Sequence, residues 1–168
     1  MLKEQILQNI NAAVKEKKGV EVLVLRQLSA AILNKEKEKR FRISKEKPEL
    51  SEKDLEKESR LTDEETLEAV SYEAKKRKES IAEFEKGGRN DLVEKEKKEL
   101  AILKTYLPEQ LAEEEIKKLV KEAVEKTGAK EPKDMGKVMA ELMPKTKGRA
   151  DGNLVSKVVK ESLVVKHD

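Results

Sequence analysis

Residues 62–88 read TDEETLEAVSYEAKKRKESIAEFEKGG, and this run decides the fold class. Thr62 and Glu65 stand at capping-box spacing: the Thr hydroxyl accepts from the amide three residues on, and the Glu reaches back to the cap's own amide. Leu67, Val70, Ala74, Ile81 and Phe84 then recur at steps of three, four, seven and three, a seam on one helical face. Gly87-Gly88 stops the helix, because glycine takes the left-handed turn without a Cβ penalty. Such a helix is about 36 Å long at ~1.5 Å per residue, so a partner helix must lie along it. The partner follows at once: Asn90 in a capping position, then Leu92, Val93, Leu100, Leu103 and Leu107 facing inward, with Pro108 as the stop. The short glycine turn predicts an antiparallel hairpin.

Working outward, Leu2, Ile6, Ile10 and Ala13 form a narrow apolar stripe on a first helix that ends near Gly19. A second helix from about Val20 carries Val24, Leu25, Leu28, Ala31 and Ile32 on one side, and its far end is the basic run KEKEKRFRISKEK, Lys35–Lys47. From about residue 44 to 61, around Pro48 and a polar stretch to Ser59, the pattern reads as a solvated connection, in part helical. Beyond Pro108, Ile116, Leu119, Val120, Ala123 and Val124 make a full stripe on a short helix ended by Gly128. Two more short helices follow. Lys133–Met143 carries Met135, Val138, Met139 and Leu142 inward and stops at Pro144; Gly152–Leu163 carries Leu154, Val155, Val158, Val159 and Leu163. The expected architecture is all-α: an elongated antiparallel four-helix bundle-like part over 1–108, then a small three-helix domain over 109–168, marginal on its own at that size.

Composition fits a helical chain on a lean aliphatic core. Of the 168 residues 43% are charged and 2% aromatic, and Leu, Ile, Val and Phe make up about a quarter of the chain. That fraction, with a net charge of +3, is above the threshold for a disordered polyelectrolyte. Lys and Glu dominate the polar residues, which suits exposed helix faces and is also the bias of hyperthermophile proteins. The near-neutral total hides two basic ends around an acidic middle: +6 over 1–47, −6 over 48–127 and +3 over 128–168. With no cysteine there is no disulfide framework, thiolate nucleophile or Cys-ligated metal. No apolar run is long enough to span a bilayer and the N-terminus lacks a secretory pattern, so a cytoplasmic address is expected by elimination.

From Tyr106 the wording becomes specific. YLPEQL (Tyr106–Leu111), then EEEI, then KDMGKVMAELMPKTKGRADGNLVSKVV (Lys133–Val159) resembles the GatB/YqeY family, and KKRKESIAEFEKGGRNDLVEKEKKELAILKTYLP (Lys75–Pro108) is similar to its stand-alone YqeY-like members. In that family the block forms the tail of the B subunit of the glutamine-dependent tRNA amidotransferase, and a similar domain is appended to some bacterial glutaminyl-tRNA synthetases. The resemblance implies two all-helical subdomains, a tail that contacts tRNA outside the chemistry, and no catalytic residues or cofactor in this chain. Two features depart from it: Ala112 stands where a Ser-like cap is usual, a loss of roughly 1 kcal/mol, and the Lys/Glu-rich Pro48–Ser59 stretch looks longer than the family norm.

The candidate RNA-binding element is PKTKGRADGN, Pro144–Asn153. Lys145, Lys147 and Arg149, with Gly148 and Gly152 shaping the turn, stand just ahead of a helix N-terminus, where free amides and the dipole favour an anion. Lys137, Lys157 and Lys160 would widen the patch. The competing reading is that the glycines only turn the chain, Asp151 caps the last helix, and the lysines are solvated. A secondary basic patch, Lys39, Arg40, Phe41 and Arg42, reads either as a base-stacking platform or as a solvated helix end. Gly136 within a helix implies a close helix–helix approach or, second, an approach by RNA; Met135, Met139 and Met143 read as core filler or as a groove for a partner helix. His167, at a frayed end, is not expected to be catalytic. Walker, dinucleotide and HExxH patterns are absent, and no acidic pair marks a general acid and base. The expectation is a non-catalytic tRNA-associated protein without cofactor or metal, whose partners are tRNA and, as the alternative, an aminoacyl-tRNA synthetase or amidotransferase to which it docks as an interaction module or accessory subunit.

Overall fold

Thr62 opens its helix as the spacing requires. Its hydroxyl accepts the Glu65 amide at 3.1 Å and the Glu65 carboxylate accepts the Thr62 amide at 2.8 Å. The computed structural model, which describes residues 1–164, is helical with no strand among them. The helices are α1 Leu2–Lys15, α2 Gly19–Glu46, α3 Glu52–Ser59, α4 Asp63–Lys86, α5 Asn90–Lys104, α6 Glu113–Thr127, α7 Met135–Thr146, entered through a 3-10 turn at Pro132–Asp134, and α8 Gly152–Val164. The chain divides into two compact units, Met1–Tyr106 and the residues from Leu107 on.

In the first unit α2 is the hub, packed against α1, α3, α4 and α5, while α4 and α5 pair along their length. Val24, Leu25, Leu28 and Ile32 of α2 are buried, and around them lie Ile6 and Ala13 of α1, Ala69, Val70 and Ala74 of α4, and Val93, Leu100 and Leu103 of α5. With so few aromatics, polar groups complete the interior. Arg77 of α4, 12% exposed, donates to Glu99 of α5 at 2.9 Å and to Gln27 of α2 at 2.7 Å, and lies 3.4 Å from Glu73 and 3.5 Å from Glu96. Glu73 and Glu99 are themselves buried. One guanidinium thus ties α4 to α5 through the carboxylates of Glu96 and Glu99, and to α2 through the Gln27 amide oxygen.

The structure sharpens some local expectations in this unit and corrects others. The stretch read as a solvated, partly helical connection is indeed mostly exposed and partly helical: α2 continues through Glu46 and α3 follows, started by Ser51, whose hydroxyl accepts the Asp54 amide at 3.2 Å. Leu55, Ser59 and Leu61 are buried there, too few apolar positions to show as a period. Arg89, not Asn90, is the cap residue of α5, and its guanidinium pairs with Asp91 at 3.0 Å. The α1–α2 turn uses Lys17, not a glycine, at φ 58°, a left-handed conformation that costs a residue with a Cβ.

The second unit packs α6, α7 and α8 around Ile116, Val120, Ala123, Val124, Val138, Leu142, Val155, Val158, Val159 and Leu163. Pro144 does not stop α7 but lies within its last turn, which runs on to Thr146. So near the helix end, the missing amide costs one exposed bond, and the Lys147 amide still closes on the Met143 carbonyl at 3.0 Å. Met135 and Met139 pack on the core as filler, whereas Met143 is 54% exposed. Gly136 is the second residue of α7, and a Cβ built there meets nothing within 4 Å. A close helix–helix approach is therefore not its reason.

Candidate nucleic-acid interface

The hook is built where α7 hands over to α8. Thr146, buried, returns its hydroxyl to the Leu142 carbonyl at 2.9 Å and accepts the Arg149 and Ala150 amides on its own carbonyl, both at 2.9 Å. Gly148 sits at φ +73°, the left-handed region in which a side chain is strained, so this turn needs glycine. Asp151 then caps α8: its carboxylate accepts the Asn153 amide at 2.8 Å and the Leu154 amide at 3.4 Å. That carboxylate occupies the helix N-terminus itself, so an anion meets the hook's side chains and not the α8 amides. Gly152 is the first residue of α8, with open space around a Cβ.

A strap of irregular chain holds the turn in place. The Leu111 amide donates to the Arg149 carbonyl at 2.8 Å, and the Gln110 side chain donates to the Gly148 carbonyl at 2.8 Å and to the Pro108 carbonyl at 2.9 Å. Arg149, half-buried, returns a bond from Nε to the Glu109 carbonyl at 3.2 Å. The PEQL part of YLPEQL is thus the structural partner of the hook. Tyr106, at the end of the first unit, accepts from the Asn9 amide group at 2.7 Å. Sequence reasoning missed the strap, because backbone bonds between segments some forty residues apart leave no local pattern; the only signal was two specific motifs in one chain.

The predicted residues fall into separate places. Lys145 and Lys147 stand exposed on the hook with Gly148 and Arg149. Lys145 is 4.0 Å from Glu141, whose closer partner is Lys126 at 2.6 Å. The Lys126 hydrogen bond holds the Glu141 carboxyl below its ordinary value against burial, with help from the charges of Lys126 and Lys145. Lys137 lies at the start of α7, 72% exposed and 3.4 Å from Asp134. Backbone amides of Lys130 and Glu131 chiefly hold the Asp134 carboxyl low, with Lys137 adding to them. Lys157, 3.9 Å from Glu161, acts on Glu113 at the start of α6 and so belongs to the α6–α8 flank; Lys160 is exposed in the middle of α8. On the hook itself stand Lys145, Lys147 and Arg149, while Lys137 lies at the start of α7 and Lys157 on the α6–α8 flank.

The secondary patch also divides. Lys39 donates to Glu65 at 2.7 Å and to the Arg60 carbonyl at 3.1 Å, and Arg40 pairs with Glu52, so both serve the fold of the first unit. Phe41 and Arg42 are exposed. His167 lies outside the described residues. Among the described residues, no three His, Cys, Asp or Glu side chains are grouped to hold a metal, and no helix is long and apolar enough to cross a membrane.

Ala112, at the α6 N-cap, offers no side-chain bond, and only the returning half of a capping box is made, from the Ala112 amide to Glu115 at 2.8 Å. A family model described as Yqey-like protein matches residues 35–163, about three quarters of the chain. A curated relative, "Altered inheritance of mitochondria protein 41, mitochondrial" of Pyrenophora tritici-repentis, is 40% identical over 104 residues, 60% of this chain and 56% of the relative. The chain thus spans little more than half the length of that fungal protein.

Proposed function

The chain belongs to the YqeY-like family, and from that premise we propose that it is a non-catalytic, tRNA-associated accessory protein similar to the tail of the amidotransferase B subunit. The hook carries the reading: Lys145 and Lys147 are exposed on a turn whose backbone is fixed from both sides by Thr146, Asp151, Gln110 and Leu111. A rigid turn presents its ammonium groups without an ordering cost at each encounter, and phosphate contacts position RNA without reading its sequence. Arg149 plays a mixed part, since it is half-buried and its Nε already donates to the Glu109 carbonyl. On compartment, the fungal relative is named as mitochondrial.

The test is a gel shift of tRNA by the full chain at low salt, with Lys145 and Lys147 changed together to Ala. Loss of affinity of several-fold or more supports the hook; no shift by the wild-type chain at low salt removes it. A second reading, a protein-docking module or accessory subunit serving an amidotransferase or a synthetase, is favoured by an open groove of about 520 Å³ between α6 and α8, lined by Val124, Val158, Lys117, Lys121 and Glu161. Pull-down of such a partner after nuclease treatment, with no RNA recovered, would favour it.

A further inference from the structure

Phe41 is 64% exposed, the most exposed of the large hydrophobic side chains described. Its ring is not left to roam: the Lys45 ammonium, one turn on, lies 4.6 Å from the ring centroid. One turn back on the same row is Lys37, also exposed, and one turn further is Leu33, 48% exposed. The row Leu33, Lys37, Phe41, Lys45 repeats every four residues, so its members stand one above the other at ~6 Å intervals. Beside it an open groove of about 470 Å³ has Leu7, Leu33, Lys37 and Arg40 on its wall, together with the acids Glu4, Glu36 and Glu56.

The cations of this segment are sorted by face. Lys39, Arg40 and Lys47 hold Glu65, Glu52 and Glu58. No such carboxylate holds Lys37 or Lys45 among the described contacts. The adjoining row, Glu38, Arg42, Glu46, alternates in sign and is exposed. A flat anionic surface such as a bilayer would meet both rows at once, acids included, whereas a single strand fits along one.

We infer that the Lys37–Phe41–Lys45 row is a strip for single-stranded polynucleotide, with a base stacked on Phe41 and flanking phosphates on the two lysines. Base–aromatic stacking tolerates any base, and two cations supply the backbone attraction, so the strip holds strand without choosing sequence. Leu33, further along the row, offers apolar surface to a neighbouring base, while the acids of the adjoining groove keep the strand to the row itself. The strip stands on the first unit alone and does not depend on the hook.

The experiment is fluorescence anisotropy of short labelled oligouridylate and oligothymidylate with the full chain at low salt. Phe41→Ala, at an exposed site where folding is not at risk, weakens binding about five-fold or more, and Phe41→Trp restores it. Binding of either oligomer with that dependence supports the strip, and their ratio tells ribose from deoxyribose. The Lys145→Ala, Lys147→Ala double variant keeps the Phe41 dependence, which separates this strip from the hook. Equal binding by wild type and Phe41→Ala, or no oligomer bound, overturns the inference; so does Phe41-dependent capture by phosphatidylserine vesicles with no oligomer binding.

Discussion

Replacing Arg77 by methionine removes the guanidinium while keeping much of its aliphatic volume. What remains is Glu99 at 5% side-chain exposure and Glu96 at 18%, facing each other's charge, with Glu73 still 3.1 Å from Lys76. Breaking a buried pair by removing one partner costs about 3–5 kcal/mol, because a carboxylate stays buried without compensation. The Glu96 oxygen facing Arg77 is buried, but the side chain as a whole keeps 18% exposure, which favours the lower end. In a unit of this size each kcal/mol moves Tm by roughly 4–8 °C, so a drop on the order of 15–25 °C is expected. Urea and thermal unfolding followed by circular dichroism read it directly. Adding Glu99→Gln to Arg77→Met should recover a substantial part, since it removes the most buried of the uncompensated charges. A cost below about 1 kcal/mol, the range of exposed pairs, would refute the reasoning and place the cluster in water.

Three smaller predictions concern helix ends. Ala112→Ser supplies the acceptor missing from the α6 cap and should stabilise the second unit by roughly 1 kcal/mol, read as a rise in Tm; no rise would mean that Glu115 alone suffices. Lys17→Gly relieves a left-handed residue at φ 58° and should stabilise the first unit by about 1 kcal/mol in urea titration. At Glu65, burial pushes the carboxyl up, but the Lys39 ammonium and the Thr62 amide together outweigh it and hold it below its ordinary value of 4.5. A carboxyl lowered by folding contributes stability that is present above 4.5 and lost as pH falls through the folded value. Acid unfolding of Lys39→Met should therefore show less loss of stability below pH 4.5 than wild type; an unchanged acid slope would contradict this.

What the sequence shows plainly is what local rules encode. The cap at Thr62, the α2 face of Val24, Leu25, Leu28 and Ile32, and the α6 stripe through Ile116, Val120 and Val124 are each set by neighbours within a few turns, and the structure has them. The bounds of α3 escape such a reading, which gives only a partly helical stretch, because a single buried leucine, Leu55, supports it. The Arg77 cluster escapes for the opposite reason: Glu73 and Glu99 look like surface on any apolar period, and only the packing of α4 on α5 buries them. At the hook, the turn residues are legible by type, since Gly148 and Asp151 announce a turn and a cap. Which lysines gather there is not. Lys137 stands at the start of α7 and Lys157 on α8 beside Glu161, and Arg149 is half taken by the strap, placements that only the folded chain defines.

The central claim, that the hook grips RNA phosphates, is tested most directly by the salt dependence of tRNA binding. Each phosphate neutralised contributes about −0.7 to −0.9 to the slope of log K against log salt. With Lys145 and Lys147 both changed to Ala, the slope should shrink in magnitude by roughly 1.4 to 1.8 relative to wild type, with weaker binding at every salt concentration. An unchanged slope in the double variant, with wild type bound, would place the phosphate contacts elsewhere and contradict the account.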